Sequence, residues 1–132
     1  MTDDMGVLDD VYRKLKKNKD LIKLLGNPKT EGEINQRIRR ELTPLSYATV
    51  DNVNFVSIYF SSATETDNIY VLRGFLCVDY YAKSRKDLKA MKRIITEELR
   101  EEDFFVGSCY NLPSDTKGVY KYAQRYRPLI FA

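Results

Sequence analysis

Histidine is absent from the 132 residues, so the side chain that most often serves as general base and metal ligand is missing. What remains for chemistry is a carboxylate cluster, two thiols and two groups of cations. The carboxylates are Glu97, Glu98, Glu101, Glu102 and Asp103. Such groups act as acid and base, or hold a divalent cation, when they converge from separate elements. Here all lie on one stretch, and a charged helix end is the simpler reading. Cys77 and Cys109 sit in apolar or aromatic runs and read as small buried hydrophobes in a reducing compartment. A disulfide between them, a metal site or a nucleophile is the alternative, but two thiolates without histidine make a poor zinc site. The run Lys14, Lys16, Lys17, Lys19 fits a solvated helix C-terminus, favoured by the helix dipole, or else a phosphate-binding patch. Tyr120, Tyr122 and Tyr126 interleave with Lys121, Arg125 and Arg127 in a way that could stack single-stranded nucleic acid. Strand alternation puts the rings and the cations on opposite faces, whereas binding needs both on one. The six glycines are scattered and none precedes Gly-Lys-Ser/Thr, so there is no phosphate loop. No catalytic, cofactor-binding or metal-ligating residue is expected, and no enzymatic activity.

The element that organises the chain runs from Asn68 to Glu102. From Ile69 to Tyr81 almost every residue is apolar, aromatic or β-branched. Both alternate sets, Tyr70-Leu72-Gly74-Leu76-Val78-Tyr80 and Ile69-Val71-Arg73-Phe75-Cys77-Asp79-Tyr81, are largely apolar, which predicts a strand covered on both faces. Ser84 then caps a helix, with Asp87 in a variant of the capping box. Leu88, Met91, Ile94, Ile95 and Leu99 form its apolar stripe.

Before this unit, Val7, Leu8, Val11, Tyr12 and Leu15 mark a first helix capped by Asp3 or Asp4. Asp20 to Leu25 is a second helical piece, stopped by Gly26, Asn27 and Pro28. Thr30 caps a third, with Ile34, Ile38 and Leu42 at spacing four up to the break at Thr43-Pro44. Val53 to Phe60 alternates as a strand, and the polar Ser61–Asn68 reads as a long hairpin tip. After the central helix come a short aromatic strand from Phe104 to Tyr110, a turn, and an extended segment from Val119 to Phe131. The pattern predicts a single α+β domain over residues 1–132. Its sheet is largely antiparallel, of about four strands, with a long β-hairpin and the helices packed on one face.

Apolar residues make up 43% of the chain, charged residues 31%, and the net charge is +3, values of an ordinary soluble domain that carry no argument for nucleic acid. No apolar run has the roughly 18 residues of a membrane helix, and no signal-peptide pattern follows Thr2-Asp3-Asp4. A cytoplasm and no membrane partner are expected.

The order of elements resembles the tail-terminator and tail-completion proteins of long-tailed bacteriophages, the lambda tail terminator and its relatives, which join head to tail. The likeness lies in LDDVYRKLKKNKDLIKLL, in CVDYYAKSRKDLKAMKRIITEEL and in the C-terminal extended segment with alternating tyrosines. In that family the strand ends in a Val-Asp-x-Tyr-Ala phrase; Val78, Asp79, Tyr81 and Ala82 stand in those places. The resemblance implies a non-enzymatic structural subunit without cofactors. It would form a ring with copies of itself, expected to be a hexamer, at the head-proximal end of the virion tail. Its other partners would be tail-tube and head-completion proteins, with DNA passing through the channel without sequence-specific binding. The alternatives are a phage neck or head-completion protein, and a small host nucleic-acid-binding or regulatory module.

Three candidate surfaces follow. The two-faced strand offers more apolar surface than a small domain covers, so Leu72, Phe75 and Leu76 are candidate subunit contacts, through either the face of Phe75 and Cys77 or the opposite face of Leu72 and Leu76. The central helix runs from a basic N-terminal half to an acidic end, against its own dipole, so Lys86 and Lys89 are expected to meet Glu98 and Glu101 of a neighbour. Solvent screening plus scattered pairs with Arg37, Arg39 or Arg40 of the same chain is the alternative. The tip residues Ser61, Ser62, Thr64, Glu65, Thr66, Asp67 and Asn68, polar and without a cation, are expected to face the pore.

Overall fold

The computed structural model describes residues 4–41, 47–49, 51–65, 72–102, 104–112, 117–127 and 130–131. Strand β3 (Leu72–Ala82) holds the centre, between β2 (Phe55–Glu65) and β5 (Tyr120–Arg127), both antiparallel to it. The other strands are β1 (Ile38–Arg39), β4 (Phe105–Leu112) and β6 (Ile130–Phe131). The sheet order is β1-β2-β3-β5-β4, with β6 beside the far end of β3. Only β1 runs parallel to its neighbour among the described pairings, so the sheet is largely antiparallel, as its alternating strands predict, with more strands than the four expected.

The helices are α1 (Asp4–Lys16), α2 (Lys19–Leu24), α3 (Glu31–Arg37) and α4 (Arg85–Glu101). Asn18 caps α2, its side chain accepting from the Leu21 N–H at 3.0 Å. The stop after α2 is made as its sequence dictates: Gly26 and Asn27 take positive φ, 89° and 53°, and the Asn27 N–H returns to the Ile22 carbonyl at 3.0 Å. Thr30 caps α3. The expected continuation of α3 to Leu42 does not occur. The chain straightens at Ile38, fully buried beside Val56, while Arg37 Nη1 donates to the Asn52 and Asn54 carbonyls at 2.6 and 3.3 Å. Burying Ile38 in the sheet outweighs one more helical turn; Leu42 itself lies outside the described residues.

One face of the sheet presents Val56, Ile58, Leu76, Val78, Tyr80, Ala82 and Tyr126 to Leu8, Leu15 and Leu21 of the first helices and to Met91, Ile95 and Leu99 of α4. Each such side chain contributes roughly 1.5–3 kcal/mol on burial. On the opposite face Phe55 and Tyr81 are direct cross-strand partners with rings stacked at 4.5 Å, and Tyr47 meets Phe55 edge-on at 5.0 Å. Ala48 and Val119 complete this smaller cluster. Every residue of β3 from Leu76 to Ala82 is buried, so the expectation of cover on both faces holds there.

Candidate functional site

Helix α4 carries most of the chemistry, and its surroundings differ on its two flanks. Its start is fixed by Ser84, whose Oγ accepts the Asp87 N–H at 3.1 Å. Asp87 does something the sequence pattern does not foresee: its carboxylate accepts from Asn54 Nδ2 at 3.1 Å. The same amide donates to the Leu24 carbonyl at 2.9 Å, and its oxygen accepts the Lys83 N–H at 2.8 Å. Asn54 is 5% exposed, so one buried amide ties the end of α2 and the start of α4 to the head of β2.

The flank facing α1 and α2 is acidic and is answered within the chain. Lys14 Nζ of α1 lies 2.9 Å from Glu101, 3.3 Å from Glu102 and 3.7 Å from Glu98. Asn18 Nδ2 donates to the other oxygen of Glu98 at 2.8 Å. The hydrogen bond to Glu101, helped by Glu102, raises the Lys14 pKa above the ordinary lysine value. Lys16 pairs with Glu31 at 3.4 Å, and Tyr12 donates to Glu31 at 3.1 Å. Of the lysine run, Lys14 and Lys16 are therefore ion-pair partners, while Lys17 and Lys19 are exposed as a solvated turn predicts.

The other flank of α4 is basic and lies over β5. Lys92 Nζ donates to the Tyr122 hydroxyl at 3.1 Å and sits 4.4 Å above that ring. Thr96 shares a hydrogen bond with the Tyr126 hydroxyl at 3.1 Å. Beneath them Tyr80 donates to Gln124 at 2.6 Å and Tyr126 bonds the same amide oxygen, a closed polar cluster in the core. Burial raises Tyr80 well above the ordinary tyrosine value, with the neighbouring Tyr126 adding to it. Outward of this cluster a shallow groove of about 490 Å³ is lined by Lys89, Lys92, Arg93, Thr96, Glu97 and Arg100. Lys86, Lys89 and Arg93 are exposed, and no carboxylate bonds them among the described residues.

On the sheet face away from the helices, Asp79 is 5% exposed and accepts from the Tyr59 hydroxyl at 2.8 Å. Desolvation raises its pKa, against the opposing effects of Tyr59 and the nearby Arg125. Cys77, its neighbour on this face, is buried. Cys109 is placed by its backbone in β4, and its side chain lies outside the described residues. No group of three or more Cys, Asp or Glu placed to hold a metal occurs among the described residues, nor a helix long and apolar enough to cross a membrane.

The expected contact surfaces change accordingly. Leu76, read as incompletely covered, has no exposure and packs in the main core, because β2 and β5 enclose β3 and α4 lies on top of it. Leu72 and Phe75 are placed by their backbone opposite Glu65 and Ser61; their side chains lie outside the described residues. Glu98 and Glu101 are drawn to Lys14, while Lys86 and Lys89 stay exposed elsewhere on the helix. The supposed tip is largely strand. Ser61, Ser62, Thr64 and Glu65 belong to β2, where the ladder continues past a bulge to pair Thr64 with Arg73 and Glu65 with Leu72. Small and β-branched residues suit a projecting ladder as well as a loop. Thr66, Asp67 and Asn68 lie outside the described residues.

This is an α+β open-sheet protein with helices α1, α2 and α4 on one face, and buried polar side chains such as Asn54 and Gln124 tie its elements together. The chain is similar, with a TM-score of 0.65, to a chain in the solved virion of a native gene transfer agent (GTA) particle. The likeness covers 92% of each chain at 12% sequence identity, and at that identity it is a likeness of fold. No protein-family model matches the sequence, and no curated protein matches it.

Proposed function

We propose that this protein is a structural, non-enzymatic subunit of a phage-like virion. In this reading it forms a ring, expected to be a hexamer, at the head-proximal end of the tail, as tail terminator or tail-completion protein. It joins tail tube to head, and DNA passes through it without sequence-specific contacts. The observation that carries the reading is the fold likeness to a virion component along nearly the whole of both chains. The resemblance of the segment from Cys77 to Leu99 to tail terminators supports the same position.

The test is genetic and structural. The purified protein, concentrated, should give rings by negative-stain electron microscopy and a single multimer by native mass spectrometry. Particles produced without it should show tails of uncontrolled length that fail to join heads. Normal-length tails beside heads that leak DNA would place it in the neck instead. Fully assembled, infectious particles would reject the proposal.

A further inference from the structure

The sheet ends in two open edges. Among the described residues, strand β4 pairs with β5 alone. On the outer side of β2, β1 reaches only Val56 and Ser57, and from Ile58 to Glu65 no strand lies beside it among the described residues. Long open edges of this kind are templates for another strand. Proteins that must stay apart blunt them with short strands, charges or proline. Here β4 keeps eight residues with a register shift between Val106 and Ser108, carries neither charge nor proline, and leaves the apolar Val106 39% exposed.

The two edges also differ in charge. The basic flank of α4 lies over β5, and β4 is the next strand outward, so Lys89, Lys92, Arg93 and Arg100 lie on the side of α4 toward β4, with Glu97 as the carboxylate among them. The β2 strand ends at Glu65 and carries no cation from Phe55 to Glu65; in the sequence Asp67 follows. Among the described residues, Glu98, Glu101 and Glu102 at the end of the same helix are engaged by Lys14, and Asp9 by Arg40.

We propose that the edges join head to tail: the open β2 edge of one copy adds to β4 of the next, and its acidic end runs toward the cations on that copy's α4. This rests on the ring reading and specifies which surfaces close the ring. A contact between two different patches is the heterologous kind that generates rings. Backbone hydrogen bonds hold the edges together, and the charges steer encounter and set register.

The test uses cysteine pairs in the full chain with Cys109→Ser. One preparation carries Val106→Cys and a second carries Ser61→Cys, Ser62→Cys or Thr64→Cys. The mixture should form an intermolecular disulfide at one or more of these positions, and neither preparation should do so alone. Lys89→Glu with Arg93→Glu in the Val106→Cys preparation should abolish that crosslink at low salt, and Glu65→Lys in the preparation that carries the β2 cysteine should restore part of it. A Val106→Cys chain that crosslinks to itself means β4 pairs with β4, and overturns the proposal. A stable multimer with no mixed crosslink overturns the edge pairing and leaves the ring standing; a chain monomeric at every concentration removes the ring itself. If the double reversal leaves the crosslink intact and abolishes salt-sensitive binding of duplex DNA, the cations serve nucleic acid and their part in the proposal fails.

Discussion

The Lys14 ammonium on α1 lies 2.9 Å from the Glu101 carboxylate on α4, across 87 residues of sequence. This contact relocates the meaning of the acidic helix end. Reversing Glu98 and Glu101 to Lys should lower the unfolding temperature of the single chain, because three cations would then converge where Lys14 now meets carboxylates. Adding Lys14→Glu should recover most of the loss, and adding Lys86→Glu with Lys89→Glu should recover none. The loss should shrink in high salt, since these groups are partly exposed and screened. Recovery through Lys86 and Lys89 instead would show that the helix end answers a neighbouring subunit.

Asn54 should be among the least replaceable polar residues. Asn54→Ala removes one acceptor and the donors to two others, and is expected to destabilise by about 2–3 kcal/mol in chemical denaturation. Asn54→Asp keeps the acceptor for Lys83 but sets a second carboxyl against Asp87. Its penalty should be larger at neutral pH than in acid, where the carboxyls are protonated. Equal penalties at both pH values would contradict the contact with Asp87.

The Tyr59–Asp79 pair gives a pH dependence of definite sign. Burial raises the folded pKa of Asp79 above the ordinary value of 3.8. The folded protein therefore holds this proton more tightly than the unfolded chain, and the favourable contribution is full below 3.8 and lost as pH rises through the raised value. Asp79→Asn should flatten this part of the stability profile. Tyr59→Phe should steepen it, costing about 1–3 kcal/mol once the carboxylate is ionised and less in acid. Unfolding midpoints measured from acid to neutral pH decide it; a profile unchanged by Asp79→Asn counts against the buried carboxyl as its source.

Alkaline behaviour follows from the tyrosines. Burial is the largest cause that pushes Tyr12 and Tyr81 up to about 12, and Tyr80 goes well above the ordinary value of 10.0. Because the folded values are raised, their contribution is complete below 10.0 and is lost as pH climbs toward about 12 and beyond. Spectrophotometric titration should show part of the tyrosine signal delayed until the protein unfolds. Tyr80→Phe should shrink the delayed fraction. Simultaneous titration of every tyrosine in the folded chain would be incompatible with these burials.

Local structure was written in short-range pattern. The Ser84 cap, the Gly26-Asn27-Pro28 stop, the stripe Met91-Ile94-Ile95-Leu99 and the alternation through Leu76 to Tyr81 each depend on neighbours a few residues away, and each forms as its residues dictate. Periodicity also separated Tyr122 and Tyr126, on the helix side, from the cations of β5. Pairing across the chain was not legible in the same way. Lys14 with Glu101, Asn54 with Asp87 and Tyr59 with Asp79 depend on which layers meet, and charge or polarity at a position names no partner. Leu76 shows the limit for apolar residues, since a hydrophobic side chain looks the same whether its cover comes from its own chain or from another. Ile38 left its helical pattern because its place beside Val56 was worth more than local propensity, which tertiary burial routinely overrides. The sequence determined the elements and their faces; the strand order decided which edges stay open, because that order is set by long-range packing that no local pattern records.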